Sequence, residues 1–297
     1  MGSRTDHKIA PSETILSPLR RLLCMSTRSN YIFACLFCLP VLLAPALVSS
    51  QKTFDLFFQL QVEAKFIAAD PIGKLYVVTH SNEVQQYAPD GRILYKYNNN
   101  MLGELTRIDA TDPFQLMLYY EEYQTVVFLD RTLNLLSTIN LWEFGFRQPI
   151  APAMSNDNLL WVYDRADFRL RKLDRQGNTL YDSGDLNSML NTTPRPLEIS
   201  ARHNLVVLND PDTGLLLFDN FGQYIETLPF PGSSQIQLPE PGHLLFFHRN
   251  KWVSFHTALR KETAFSLPSG VPFDAQVLVV GNHIFALHDG LMQCWSW

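Results

Sequence analysis

Three observations predict an all-β chain built from six repeated four-stranded sheets. A short apolar phrase recurs as "KLYVV" (74–78), "QLMLY" (115–119), "LLWVY" (159–163), "NLVVL" (204–208), "HLLFF" (243–247) and "HIFAL" (283–287). Its anchors Leu75, Leu116, Leu160, Leu205, Leu244 and Ile284 lie 41, 44, 45, 39 and 40 residues apart. A second phrase follows each one, from "VQQYAPDG" through "VVFLDRTL", "LRKLDRQG", "LLLFDNFG" and "WVSFHTAL" to "LMQCWSW". Two markers that keep one step of about forty residues indicate a repeat architecture. The last unit supplies three strand-like runs where the others supply four, and a spare run, "TFDLFFQLQ" (53–61), precedes the first unit.

The third unit illustrates the strands. "IAPAMS" (150–155), "LLWVYD" (159–164), "RLRKLD" (169–174) and "TLYDSG" (179–184) are separated by the polar turns "NDN", "RAD" and "RQGN". Short runs rich in β-branched and aromatic residues, bounded by turn residues, favour strands over helices. A four-stranded sheet repeating at about forty residues is a β-propeller blade. Six blades follow, with Phe54–Gln61 as the outer strand of the last. Pairing the two ends closes the ring and removes its open sheet edges. A five-bladed ring with a loose terminal hairpin is the alternative.

The turn in "KLDRQGNTLY" (172–181) first suggests a cation loop through Asp174. Calcium needs more oxygen donors in register, and Arg175 competes for the site. Its relatives "YAPDGRILY" (87–95) and "LFDNFGQYI" (217–225) keep the repeat step. Glycine there permits the positive φ of a tight hairpin. The phrase therefore reads as the outer hairpin of a blade.

On the repeat step and this D-x-x-G turn, residues 53–297 resemble the six-bladed propellers of the TolB-like and NHL-like superfamily, with no subfamily specified. The resemblance implies a fold used by protein-binding modules and by some lactonases and esterases. A fold alone does not choose between them.

Residues 31–48, "YIFACLFCLPVLLAPALV", follow Arg28 and precede the small polar "SSQ". A basic start, an apolar centre and small residues at the cut read as a secretory signal over 25–50. Residues 1–24 are then a disordered tail or an upstream start artefact. A retained N-terminal anchor is the alternative, although Pro40 and Pro45 weaken a long helix. Lipidation at Cys35 or Cys38 fails, because most of the apolar run follows those residues. Cleavage near Gln51 leaves Cys294 alone, so no internal disulfide forms. The whole chain carries a net charge of −5. Cleavage removes Arg4, Lys8, Arg20, Arg21 and Arg28 against Asp6 and Glu13, so the mature chain is more acidic still. That balance opposes nucleic-acid and anionic-membrane binding. The expected location is periplasmic or envelope-associated in a bacterium, and secreted otherwise.

No motif announces a reaction or a cofactor. By resemblance, lactonase-type propellers hold a divalent cation on the axis through Glu, Asp and Asn side chains. The expected inner strands "AKFIAA", "TRIDAT", "IAPAMS", "PLEISA", "QIQLPE" and "AQVLVV" offer only Asp109 and Glu198 as weak metal candidates, with Lys65 and Arg107 nearby. A charge-balanced, water-filled channel is the simpler reading. His80, His248 and His288 end second strands of neighbouring blades, about 10 Å apart, whereas a Zn–N bond is about 2 Å. "PGSSQ" (231–235) lacks the strand-to-helix setting of a hydrolase nucleophile. Cys294 reads as a small buried hydrophobe. Asn191-Thr192-Thr193 is a glycosylation sequon only in a eukaryotic secretory pathway.

The links between blades are more informative. "NNNMLGEL" (98–105), "NLWEFGFRQP" (140–149) and "GDLNSMLNTTPRP" (184–196) exceed the usual 4–6 residues and share one face. The second carries Trp142, Phe144, Phe146 and Arg147, a composition typical of interaction hot spots. The opposing reading is that these rings seal the blade tops. Glu121 and Glu122, Asp164 and Asp167, and Asp210 and Asp212 lie in turns on the same face and would orient a partner. The sequence thus predicts an exported, non-enzymatic propeller that docks a protein partner, with no cofactor and no transmembrane span in the mature chain. A lactonase- or esterase-like hydrolase, or a small-ligand binder using the channel, is the alternative.

Overall fold

The computed structural model describes residues 53–88, 90–150 and 152–297. The segment 25–50, expected to be a secretory signal, and residues 1–24, expected to be a tail or start artefact, lie outside them, with Cys24, Cys35 and Cys38. The described residues form six antiparallel sheets of four strands, five of them paired in sequence order from an inner to an outer strand. The inner strands are Ala64–Ala69, Leu105–Asp112, Ala153–Met154, Glu198–Arg202, Ser234–Gln237 and Gln276–Val280. In blade six the outer strand is Asp55–Gln61, which pairs with Leu291–Ser296 from Asp55 opposite Ser296 to Gln61 opposite Leu291. The ring therefore closes on strands from the two ends of the propeller. No described helix is long and apolar enough to cross a membrane.

Apolar packing explains why the second strands read as unbroken hydrophobic runs. Six buried clusters occupy the six seams between neighbouring blades. In Gln115–Tyr120, alternate residues serve opposite seams: Leu116, Leu118 and Tyr120 pack with blade one, and Met117 and Tyr119 with blade three. A strand buried on both faces needs no polar alternation.

The D-x-x-G phrase is a turn closed by its own carboxylate. Asp174 accepts from Gln176 N at 2.9 Å and Asn178 N at 2.8 Å, while Asp174 N donates to Asn178 O at 3.0 Å. Asp70, Asp130 and Asp219 repeat this geometry. At Asp130 the hydrogen bonds from Asn134 and Thr132 hold the carboxyl at about 2. The fourth residue of each turn has positive φ: Gly73 at 85°, Leu133 at 62°, Gly177 at 83° and Gly222 at 78°. In three outer hairpins this residue also meets the preceding blade. Leu60 lies over Gly91, the Phe144 ring over Gly177, and Trp161 over Gly222. Leu133 instead buries its own side chain in the seam between blades one and two.

At the axis, polar side chains tie inner strands of different blades together. Gln276 donates to Ile67 O at 2.9 Å and accepts from Ile67 N at 2.8 Å. Gln235 and Gln237 make the same two-way bonds to the backbone of Ala275–Val279. A side-chain amide replaces the ladder that splayed backbones cannot form. Arg107 donates to Ile199 O, Ser200 to Ile236 O at 3.1 Å, and Lys65 to Leu105 O at 3.0 Å.

Two stability predictions follow from these contacts. Gly177→Ala adds a Cβ against the Phe144 ring on top of the positive-φ strain, and lowers stability by about 1–3 kcal/mol in urea unfolding. Gly73→Ala meets strain alone, since no atom lies within 4 Å, and costs less. Gln276→Leu leaves two backbone groups of Ile67 unpaired and costs about 2 kcal/mol or more.

Candidate functional site

Two regions gather polar or exposed functional groups, the axial channel and the face bearing the inter-blade links. The channel encloses about 410 Å³ and is lined by inner strands of blades one, two, four, five and six. The two-residue inner strand of blade three contributes no lining residue among those described.

Asp109 and Glu198 both line this space. Asp109 is buried and committed to the backbone, accepting from Met154 N and Thr111 N at 2.9 Å each. It thereby caps the short strand of blade three. Glu198 lies 3.6 Å from the Arg107 guanidinium. Its side chain keeps 28% exposure within a space walled by protein, and burial raises its carboxyl above the ordinary 4.5 despite the Arg107 charge. The carboxylates thus serve separate partners rather than converging on one point. No group of three or more His, Cys, Asp or Glu side chains suited to a metal occurs among the described residues.

The histidines also diverge. His248 is buried, with Nδ1 at 3.2 Å from the Ser233 hydroxyl and its ring edge-on to Phe230. Burial lowers its pKa. His80 is exposed, and His288 lies near Asp274 and Asp289. Cys294 is buried, and burial pushes its thiol up to about 12, far from a nucleophile's range.

On the link-bearing face, the aromatic segment divides. Phe146 is only 2% exposed and packs in the seam between blades two and three, which removes it from an exposed cluster. Phe144 is partly exposed but rests on Gly177. Trp142 is 56% exposed, with the Arg147 guanidinium stacked 4.5 Å from its ring centroid. The sealing and the exposed readings therefore each hold for part of the segment.

The acidic turns divide as well. Asp164 and Asp210, expected to face a partner, are buried caps of the links. Asp164 accepts from Arg147 N and Gln148 N at 2.8 Å each, and Asp210 from Arg195 N at 2.6 Å. Both also accept from the amide two residues on, an Asx-turn pattern that the strings "DRA" and "DPD" already carried. Asp167 pairs with Arg171. Glu121, Glu122 and Asp212 remain exposed. The longest link contains a short helix, Leu186–Leu190, capped by Asp185.

Residues missed by the sequence reading complete the exposed surface. Met101 is 83% exposed and Tyr123 51%. Glu122 lies over Gly103. Asn140 Nδ2 reaches Tyr123 O at 3.4 Å, and Gln124 Nε2 reaches Arg147 O at 3.2 Å. These contacts join Glu122, Tyr123, Trp142 and Arg147 into one patch, with Met101 two residues from Gly103 in the neighbouring link. Glu121, Glu122 and Glu143 form no ion pair among the described residues.

A catalytically inactive virginiamycin B lyase from Staphylococcus aureus with quinupristin matches with a TM-score of 0.60 and 13% identity, over 82% of this chain and 100% of that one. A streptogramin B lyase structure matches at 0.54 and 15%, over 82% and 87%. A chain of a mitotic checkpoint complex matches at 0.52 and 12%, over 78% and 73%. At these identities the likeness is one of fold. The chain is a six-bladed β-propeller, and its subfamily is unresolved. No protein-family model matches the chain, and no curated protein matches it by sequence.

The environment of Glu198 predicts a pH effect. A raised folded-state pKa favours the protonated form, so this contribution to stability is present below 4.5 and fades as pH rises through the folded value. Glu198→Gln removes that loss. Its stability relative to the parent chain rises as pH climbs from 4.5 through the folded value and then levels off, as read by urea unfolding across the range.

Proposed function

We propose that the chain is an exported, non-enzymatic propeller that docks a protein partner through its link-bearing face. One observation carries the reading: Tyr123 and Trp142 stand exposed in a joined patch, with Met101 exposed in the neighbouring link, beside Glu121, Glu122 and Glu143, which form no ion pair among the described residues. Exposed aromatics on a rigid scaffold supply binding energy, and a rim of like charge selects partners and speeds encounter. Phe146, Asp164 and Asp210 contribute indirectly, by holding the link that carries Trp142 and the one that carries Arg195. The N-terminal sequence supports export, with a periplasmic or envelope location in a bacterium.

The alternative is a hydrolase or small-ligand binder acting in the channel. Asp109 is spent on backbone amides and Glu198 on Arg107, an arrangement that gives a catalytic reading less support than the exposed face gives docking. The lyases of similar fold carry no activity over at 13–15% identity.

The docking reading predicts that affinity capture from envelope extracts recovers a stoichiometric partner. Trp142→Ala and Tyr123→Ala each weaken that capture by at least tenfold, while the circular dichroism spectrum and the melting temperature stay unchanged. Equal capture by the parent chain and both variants would exclude this face.

A further inference from the structure

Nearly every polar side chain lining the channel is occupied in holding blades together, and one charged group stands apart. Gln235, Gln237, Gln276, Ser200, Arg107 and Asp109 each bond to the backbone of another blade, and Glu198 pairs with Arg107. Arg202 ends the inner strand of blade four on the same face as Glu198 and Ser200. Among the described residues its guanidinium makes no hydrogen bond and no ion pair, although it lines the 410 Å³ cavity. Burial lowers its pKa, and its main electrostatic counterweight is Asp109, whose oxygens already serve two amides.

A guanidinium held in a walled cavity without a partner presents a planar fork matched to a carboxylate. The surroundings narrow the ligand further. Ala69, Pro71, Leu238 and Val280 line the same cavity as apolar surface, and Thr111 adds a hydroxyl that makes no hydrogen bond among the described residues. With both carboxyls ionised, the four charged lining residues, Arg107 and Arg202 against Asp109 and Glu198, sum to zero. A dianion would meet two carboxylates with only one free cation, whereas a monoanion needs one fork. A cavity of this volume is of the size that takes small organic ligands.

We propose that the channel is a binding site for a small organic monocarboxylate, its carboxylate on the Arg202 guanidinium and its apolar body against the aliphatic wall. This site is independent of the docking face. A propeller that binds no partner can still hold the anion, and one that binds a partner can leave the channel to water.

Octanoate is the probe, with octanol as its neutral counterpart and inorganic phosphate as the dianion. Isothermal titration of the full propeller should show octanoate binding, with octanol and phosphate at least tenfold weaker. Arg202→Met should weaken octanoate by at least tenfold and leave the ligand-free melting temperature equal or higher, because the guanidinium makes no hydrogen bond or ion pair among the described residues and its burial is costly. Arg202→Lys, which keeps the charge but not the fork, should fall between the two. Nuclear Overhauser effects from octanoate to the Thr111 methyl of the unaltered protein test the location without any substitution. The proposal is overturned if octanoate does not bind, if phosphate binds as well, if Arg202→Met binds octanoate equally, or if the Thr111 contacts are absent. A lower ligand-free melting temperature for Arg202→Met would likewise overturn it, by giving Arg202 a structural role.

Discussion

Each blade has two apolar faces, and neither can be covered from within the blade. The seams between blades therefore carry the stability of the molecule. Every second strand is sandwiched between neighbours, so its residues alternate between two seams, as Leu118 and Met117 do. Removing one blade would strip an apolar face from each of two others. The ring is thus a set of mutually dependent sheets, and the parts that touch across a seam are under the tightest steric demand. Gly177 meets that demand because its backbone turns with positive φ and its missing side chain admits the Phe144 ring, while Gly222 is required for its positive φ alone.

Near the axis the same constraint takes a polar form. Inner strands of adjacent blades diverge too far to share backbone hydrogen bonds, yet their amides and carbonyls are shielded from bulk water. Unpaired groups of that kind are costly. Glutamine resolves this because its side chain has one donor end and one acceptor end, like a peptide. Three glutamines perform this service where blades five, six and one meet. Asp109 does related work where blade three's inner strand shrinks to two residues. Polarity at the axis is therefore first a matter of construction, and only a side chain left out of it, such as Arg202, invites a functional reading.

The repeat was legible in the sequence for a physical reason: a strand buried on both sides must be apolar throughout, and six such runs at a nearly constant step form a visible ruler. The hairpin phrase was legible because Asp and Gly are each needed for a specific backbone geometry. The candidate face was legible only in part. Trp142 and Phe146 look equivalent in the string "LWEFGFRQP", yet one is solvated and the other lies in a seam. The difference is set by a turn in which Phe146 N returns to Leu141 O. Asp164 and Glu121 likewise look equivalent as acidic turn residues. The shorter side chain at a strand end bends back onto the chain, and the longer one remains in water. Partners separated by tens of residues, such as Gln276 with Ile67, leave no local pattern to read.

The pairing of Asp55–Gln61 with Leu291–Ser296 has a temporal consequence. Its partners are separated by well over two hundred residues, so this contact is among the last that loop entropy allows to form. During synthesis the first blades can assemble, but the sixth waits for a strand made last and one made first. Until they meet, Leu291–Ser296 and Asp55–Gln61 each present an unpaired edge to any other chain nearby. A carrier that shields those edges would speed maturation, and crowding of unfinished chains would favour exchange of terminal strands between copies.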